Sequence, residues 1–284
     1  MKLHNATAEL FVPDGVPLEA ALRRTTHLGI GAHQDDLEFV AFHGILQCYH
    51  SEQEWFGGVT CTNGAGSSRQ GAYGACSDAQ MMAIRHREQN VAATVGQYGI
   101  MAQLDYPSSV LKNPADVTLK NDLQEILTAT SPRVVYTHNP ADKHETHIGV
   151  VIAALQAMRE LPVRQRPQKV WGCEVWRDLD WLPDSRKILM DTSGHCHLAA
   201  ALNGVFDSQI AGGKRYDLAT MGRRAANATF FESHATDRTT QMIFGMDLTP
   251  LVNNPSLSIV DFVCDLIGEF EADVRGKLSK RIGS

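Results

Sequence analysis

Short apolar runs alternate with longer stretches of helical periodicity along this 284-residue chain. The first run, residues 26–32, has the length of a buried strand, and the apolar stretch after it has the length of a helix. Repetition of this order is typical of βαβ units, so the pattern predicts an α/β fold with a mainly parallel sheet flanked by helices. Strands are predicted at residues 26–32, 54–62, 103–107, 133–137, 170–176 and 187–191. Helices are predicted at residues 39–49, 79–95, 119–128, 147–159, 197–205, 218–233 and 258–280.

The organisation of the chain is predicted to be simple. No internal repeat, low-complexity tract or linker-like segment divides it. A chain of this length can bury about 75% of its unfolded surface within one domain. We expect a single domain over residues 1–284, with a core of about residues 24–235 and a helical C-terminal extension of about residues 236–284.

Composition and charge exclude several classes of protein. The 32 acidic and 26 basic residues give a net charge of −6 with no long basic run, so a nucleic-acid partner is not expected. No segment has 18 consecutive apolar residues and the N-terminus does not resemble a secretory signal, so we expect a cytoplasmic protein without a membrane span. The six cysteines form no CxxC pair and are expected to be reduced. No heptad or sheet-edge pattern selects an oligomeric state, so a homo-oligomer stays open.

Several of the twelve histidines lie in two polar clusters that directly follow predicted strands. The first cluster is A-H-Q-D-D-L-E at residues 32–38, and the second is T-H-N-P-A-D-K-H-E-T-H at residues 137–147. Open parallel sheets bind ligands at the carboxyl ends of their strands. We therefore expect the two clusters to meet in space.

The residue types in these clusters suit a divalent metal ion. A catalytic zinc takes three protein ligands, commonly histidine and carboxylate, and keeps one position for water. His33 and Asp36 are close enough in sequence to bind one ion, and His147 can supply the third ligand. Asp35 is then placed to accept a proton from the bound water, and His144 to act as a general acid or to stabilise an oxyanion. The spacing predicts metal-assisted hydrolysis with Zn²⁺ or another divalent ion.

Other polar segments have two interpretations each. The glycine- and serine-rich segment 64–74 lacks the G-x-x-x-x-G-K-[ST] phosphate-binding pattern, so a flexible rim over the pocket is favoured over a phosphate cradle. Segment 176–184 combines two tryptophans with three aspartates and is either a solvated loop or a rim on which a sugar ring stacks. His138 is either a support for the site or a strand-end residue. His195 and His197 either line the pocket or form a second metal site.

Nucleotide binding is not favoured by the first strand. Gly29 and Gly31 follow the spacing of a dinucleotide-binding turn, yet Gln34 stands where the G-x-G-x-x-G motif needs its third glycine. Glu38 is interpreted as an acidic residue in the first turn of a helix rather than as a metal ligand.

The first cluster resembles the H-P-D-D signature of the LmbE-like (PIG-L) zinc N-deacetylases, and the second resembles the H-P-D-H motif of that family. The resemblance extends over about residues 26–235. Four further segments are similar to family motifs: T-N-G-A-G at 62–66, R-H-R-E at 85–88, P-R-V-V at 132–135 and D-S-Q at 207–209.

The resemblance implies a Rossmann-like fold in which zinc is bound by His33, Asp36 and His147. It implies that Asp35 is the general base, and that His144 stabilises the tetrahedral intermediate or protonates the leaving amine.

The same resemblance places Arg85, Asn63 and Gly64 at the substrate. Two departures stand out. Gln34 replaces the usual proline, and Thr146 replaces an aspartate, so support for His144 or for the substrate is expected to be missing or to come from Asp142.

These residues predict a zinc-dependent hydrolase that removes an N-acetyl or other N-acyl group from an amino sugar, such as an N-acetylglucosamine conjugate. The expected partner is therefore a small-molecule amino-sugar substrate. One alternative is an amidase acting on another small amide or thiol conjugate with the same metal site. An alternative of a different class is a metal- or sugar-binding protein without turnover.

Overall fold

The computed structural model describes residues 1–283, and within that range eight strands form one sheet. The strands are β1 (Glu9–Phe11), β2 (His27–Gly31), β3 (Phe56–Thr62), β4 (Ile100–Tyr106), β5 (Val134–His138), β6 (Lys169–Cys173), β7 (Lys187–Asp191) and β8 (Met242–Asp247). Their order across the sheet is β1-β4-β3-β2-β5-β6-β8-β7. The five strands from β4 to β6 are parallel, whereas β1 and β8 run antiparallel to their neighbours. The predicted α/β fold with a mainly parallel sheet is confirmed.

Helices cover both faces of this sheet. They are α1 (Leu18–Arg24), α2 (Asp36–Val40), α3 (Phe42–Cys48), α4 (Asp78–Val95), α5 (Ser108–Leu111), α6 (Thr118–Thr130), α7 (Glu145–Glu160), α8 (Cys196–Gly204), α9 (Asp207–Ile210), α10 (Tyr216–Phe230), α11 (Thr249–Asn253) and α12 (Ile259–Ile282). The helix predicted at residues 39–49 is two short helices that meet at Ala41, whose backbone leaves helical geometry at φ −113° and ψ 12°. Among residues 1–283, no helix has the length and apolarity that crossing a membrane requires.

The C-terminal segment differs from the helical extension expected after about residue 235. It first forms β8, which pairs with β6 on one side and β7 on the other, and only then continues as α11 and α12. The predicted boundary therefore cuts through the sheet. The pattern also missed β1, which is three residues long and pairs with β4 at the edge.

The first strand and helix are packed unusually closely. A Cβ atom added to Gly29 would lie 2.7 Å from the Phe56 ring and 3.0 Å from Leu37 of α2. Glycine at this position lets α2 approach the sheet, which accounts for Gly29 without a nucleotide.

The sheet order brings the two polar clusters to one edge. Strand β2 lies between β3 and β5, and all three are parallel, so the loops after them leave the sheet side by side. The cluster at residues 32–38 follows β2, and that at residues 137–147 includes the end of β5 and the start of α7. The fold therefore places them together, as the sequence predicts.

Candidate active site

The three predicted metal ligands, His33, Asp36 and His147, lie at the corners of a small triangle. His33 Nδ1 is 3.2 Å from Asp36 Oδ2, and His147 Nε2 is 3.4 Å from the same oxygen and 3.2 Å from His33 Nδ1. Ligand atoms about 2.0–2.1 Å from a tetrahedral zinc ion lie about 3.3–3.4 Å from one another. The triangle therefore has the size that one such ion requires, so these residues fit a zinc ion.

Local hydrogen bonds hold each corner of this triangle. Asp36 begins α2 and accepts the backbone N–H of His33 at 2.7 Å. His147 lies in the first turn of α7, and its Nδ1 is 3.2 Å from Asp142 Oδ2. A carboxylate on Nδ1 fixes the ring and leaves Nε2 free to bind a metal. Asp142 thus supports His147, and it also accepts the backbone N–H of His144 at 3.3 Å.

The charges of the triangle are coupled. Burial acts to raise the pKa of Asp36, but the neighbouring His147 and His138 rings hold that pKa well below its usual range. Burial likewise acts to lower the pKa of His147, but the Asp36 and Asp142 carboxylates raise it. Both residues are almost completely buried.

His138 belongs to the surroundings of the triangle. Its Nε2 accepts the backbone N–H of Ala32 at 2.9 Å and lies 3.3 Å from Asp36 Oδ2. Its ring stacks on that of His147 with centroids 3.8 Å apart. Although Asp36, His138 and His147 together have the spacing of a metal site, the backbone donor occupies the lone pair of His138. Of its two interpretations, the geometry supports that of a residue that orients the ligands.

Asp35 has an unusual backbone. Its φ of +94° lies in the left-handed region, which is costly for a residue with a side chain. Two contacts hold it there: its N–H donates to Gln89 Oε1 at 3.1 Å, and its Oδ2 accepts from Arg85 Nη2 at 2.8 Å. Burial raises the pKa of Asp35 to about 6, against the opposing effect of Arg85. A carboxylate of this kind lining the pocket beside the triangle is suited to accept a proton.

Arg85, predicted to contact the substrate, has its main contacts with protein. Its side chain is 1% exposed, and besides Asp35 it donates to the Gln34 carbonyl and to Glu88 at 3.3 Å. Its guanidinium borders the pocket, but the geometry makes it a residue that positions Asp35. The resemblance to the family correctly placed Arg85 near the pocket, but it did not indicate that Arg85 binds other protein groups there.

Gly64 and Asn63, also predicted at the substrate, differ from each other. Gly64 borders the pocket with φ +74°, and a Cβ there would lie 2.8 Å from Gln34 Oε1 and 2.9 Å from Arg85 Cβ. Asn63 instead turns its side chain onto its own loop, where Oδ1 accepts the N–H of Ala65 at 3.1 Å. Gly64 thus lets the pocket wall approach Gln34 and Arg85 closely, and Asn63 stabilises the conformation of the loop.

The triangle opens into a pocket of about 650 Å³. His144 borders it, with its ring centroid 4.5 Å from that of His147 and 6.0 Å from that of Trp176. Burial lowers the pKa of His144 to about 4. Thr146, which replaces the aspartate of the family motif, borders the same pocket, and its hydroxyl has no partner within residues 1–283.

Aromatic side chains line the outer part of the pocket. Trp176 lies perpendicular to Tyr216 at 6.2 Å, and Phe39 packs against Tyr216 at 5.6 Å. Trp176 is therefore the part of segment 176–184 that supports the sugar-stacking interpretation. Trp181 instead packs against the apolar core. Residues of the predicted rim also reach the pocket: Gly64, Gly66, Ser67 and Ser68.

His195 and His197 are not brought to the triangle. Their rings are 5.5 Å apart beside α8, and within the described chain they have no metal-binding arrangement with a third ligand. Gln209, from the D-S-Q segment that the sequence singled out, borders the pocket, but the sequence interpretation missed other pocket residues from the C-terminal half, namely Glu174, Lys214, Tyr216, Arg223 and Arg224. No local spacing marks them, and Tyr216, Arg223 and Arg224 reach the pocket because α10 packs against α2 and β8.

Comparisons with known proteins agree with this geometry. Residues 28–158 match the PIG-L family of GlcNAc-PI de-N-acetylases. No curated protein matches the chain.

Three solved structures share the fold. GalB, the 4-carboxy-2-hydroxymuconate hydratase of Pseudomonas putida KT2440, is 17% identical with a TM-score of 0.61, covering 79% of this chain and 96% of its own. The N,N'-diacetylchitobiose deacetylase of Pyrococcus horikoshii is 15% identical with a TM-score of 0.58, covering 78% and 83%. The A40926 pseudoaglycone deacetylase Dbv21 is 16% identical with a TM-score of 0.56, covering 79% and 97%. The resemblance read from the sequence is thus confirmed over residues 28–158, which match the PIG-L (LmbE-like) family.

Proposed function

We propose that this protein is a zinc-dependent hydrolase that removes an N-acetyl or related N-acyl group from an amino sugar. The observation that carries the proposal is the triangle of His33, Asp36 and His147 beside the buried carboxylate of Asp35. It is supported by the family match and by two structural relatives that are deacetylases. Fold alone does not decide the reaction, because GalB shares the fold and is a hydratase.

The residues divide the work of amide hydrolysis. His33, Asp36 and His147 would hold the ion, which when bound supplies Lewis acidity to a water molecule and to the amide carbonyl. Asp35 accepts the proton of the attacking water, while Arg85 holds its carboxylate and Gln89 holds its backbone N–H.

Two further groups act on the rest of the substrate. His144 donates a hydrogen bond from its ring to the oxygen on which negative charge develops, or passes a proton to the leaving amine. Trp176 offers an indole face to the sugar ring.

The proposal is tested by acetate release from N-acetylglucosamine and N,N'-diacetylchitobiose, using protein purified with zinc and the same protein after chelation. We expect release only with metal, and full recovery when zinc is added back. Acetamide and an N-acetylated cysteine conjugate distinguish an amidase of broader substrate range. Zinc-loaded protein that binds the sugars and releases no acetate at any pH would support the binding protein without turnover. Release that is unchanged after chelation would contradict the metal mechanism.

A further inference from the structure

The pocket has an uneven distribution of charge. On the N-terminal side, Asp35 is paired with Arg85, and Asp36 with the histidines around it. From the C-terminal half, Lys214, Arg223 and Arg224 border the same pocket, and none forms a salt bridge in the described chain. These three residues, here called the cationic wall (Lys214, Arg223 and Arg224), therefore share one pocket with the candidate metal centre.

Arg224 is the most informative member of this wall. Its side chain is buried, with 2% of the residue exposed, and burial lowers its pKa to about 9. Its Nη2 donates to the Glu38 carbonyl at 2.6 Å at the end of α2, and the guanidinium stacks on Phe42. Its Nε and Nη1 atoms have no hydrogen-bond partner within residues 1–283. Capping α2 uses one nitrogen and leaves two buried donors without a partner in the described residues, which is costly for a protein.

The neighbouring cations are placed to complete an anion site. Lys214 is exposed and its Nζ lies 5.1 Å above the Trp176 ring, at the outer part of the pocket. Arg223 donates to the Val175 carbonyl from Nη1. Glu174 borders the same pocket, but the backbone N–H groups of Leu179 and Phe244 and the amide of Asn227 already bind its carboxylate. Its carboxylate attracts the charges of Arg223 and Arg224, but it accepts no hydrogen bond from Arg224 Nε or Nη1.

We propose that the substrate carries an anionic group, a carboxylate or a phosphate, which the cationic wall binds while the acyl group lies at the triangle. The proposal rests on the proposed function and narrows its substrate class. Guanidinium donors bind carboxylate and phosphate oxygens with charge-assisted hydrogen bonds, which are stronger than those to neutral groups.

Three sugars with the same acetamido ring test the proposal: N-acetylglucosamine, N-acetylglucosamine 6-phosphate and N-acetylmuramic acid. Their binding is measured by calorimetry on the zinc-loaded Asp35→Asn protein. We expect at least one anionic sugar to bind about ten-fold or more tightly than the neutral one, and the better of the two identifies the anion. Arg224→Met should abolish the preference, and Lys214→Met, which changes an exposed residue, should reduce it without affecting folding. Arg23→Met, at an exposed arginine of α1, is the matched control and should change nothing.

Failure of the proposed function can be separated from failure of this inference. Inorganic phosphate and acetate are titrated into the chelated wild-type protein and into Arg224→Met, where no metal competes for the anion. Binding of either that Arg224→Met weakens supports the anion site even if no sugar is hydrolysed. Equal binding of all three sugars, or an anion preference that survives both Arg224→Met and Lys214→Met, would overturn it. Absence of binding by any sugar or by either anion would also overturn it.

A second inference comes from the last helix. The first part of α12 packs on the body through Val263 and Leu266. Beyond them the same face continues at helical spacing as an apolar stripe that the described chain leaves uncovered. The stripe consists of Ile267, Phe270, Val274 and Leu278, which are 38–56% exposed.

Charge along α12 is segregated by sequence. Between residues 259 and 274 the charged residues are all acidic, and between residues 275 and 283 they are all basic. Glu271 pairs with Arg275, and Asp273 with Lys277, but such exposed pairs contribute little and exchange readily.

An antiparallel copy of the same helix would place the acidic half of each opposite the basic half of the other and cover both stripes. We infer that α12 forms a two-fold symmetric dimer contact with α12 of a second copy of the chain.

Sedimentation equilibrium of the full chain tests this contact. We expect a mass of twice the 31.2 kDa of one chain, and a shift to monomer in the double variant Phe270→Glu with Leu278→Glu. Val163→Glu alters an apolar residue of the body that is 78% exposed and should leave the dimer intact. A variant with Glu271 and Asp273 changed to Lys and one with Arg275 and Lys277 changed to Glu should each be monomeric and should associate when mixed. A monomeric wild type, or a dimer that the double variant does not weaken, would overturn the inference.

Discussion

The two halves of the chain contribute opposite kinds of residue to one pocket. The half that carries the family match supplies His33, Asp35, Asp36, His144 and His147, whose charges are balanced by one another or by neighbours such as Arg85. The half that follows supplies Trp176, Tyr216 and the cationic wall, none of whose members forms a salt bridge in the described residues. Residues whose charges are paired within the protein can hold a metal and transfer a proton with any substrate. Cations without a salt-bridge partner instead select which substrate binds. We therefore expect changes in the first half to affect all substrates alike and changes in the second to affect discrimination.

The largest effect is expected from His147→Ala. Removing one corner of the triangle should abolish zinc binding, and turnover of neutral and anionic substrates should fall together. Zinc content by mass spectrometry and acetate release are the measurements. His195→Ala, outside the triangle, should change neither, and a zinc-free His147→Ala protein that retains turnover would contradict the assignment.

The next effect is expected from Asp35→Asn. Loss of the proton acceptor should lower kcat by about 10²–10⁴-fold on every substrate, while zinc content and KM stay near those of the wild type. Steady-state kinetics with a neutral and an anionic sugar measure both. Asp180→Asn, in the loop after Trp176, is the control. A loss of kcat confined to one substrate would contradict the expectation that residues of the first half act on all substrates alike.

A moderate effect is expected at Gly64, where the pocket wall meets Arg85. Gly64→Ala adds a Cβ within 3 Å of Gln34 and Arg85 at a positive φ, and should lower the free energy of unfolding by about 1–3 kcal/mol. Gly66→Ala is a matched control, because a Cβ there meets no described atom within 4 Å. Urea unfolding measures both variants. Equal stability of the two would show that the loop adjusts freely.

The smallest effect is expected from His43, which lies in the first half but away from the pocket. Burial lowers the pKa of His43 to about 4, so below pH 6.5 the unfolded chain binds a proton that the folded chain does not. The free energy of unfolding should therefore decrease as the pH falls from about 6.5 to 4.

A comparison of variants isolates this contribution. Between pH 7 and 5, the decrease should be up to about 2 kcal/mol smaller in His43→Gln than in the wild type. His197→Gln, at an exposed ring, is the control. Substrate preference should be the same in all three proteins, and an unchanged pH dependence in His43→Gln would contradict the assignment.

The sequence was most informative where chemistry is local. His33, Asp35 and Asp36 are consecutive or nearly so. Because both clusters follow strands of a parallel sheet, their positions were enough to predict that these residues lie near His147. Arg224 could not be found in this way, because its position depends on how α10 packs against the end of α2.

The same distinction applies to the fold. Strand β8 was missed because a six-residue apolar run containing Gly245 does not reveal that it lies between two earlier strands. The stripe on α12 is different, since its spacing is visible in the sequence. It becomes informative only once the structure shows which part of the helix is already covered.

The position of β8 has a consequence for how the protein is made. Strand β7 leaves the ribosome well before β8, yet its sheet partner is β8, so β7 has no strand to join until residue 247 has been synthesised. Until then β6 presents an open edge, which is the kind of surface that draws in other chains. The interval before β8 is synthesised is therefore when the nascent polypeptide most needs protection from aggregation.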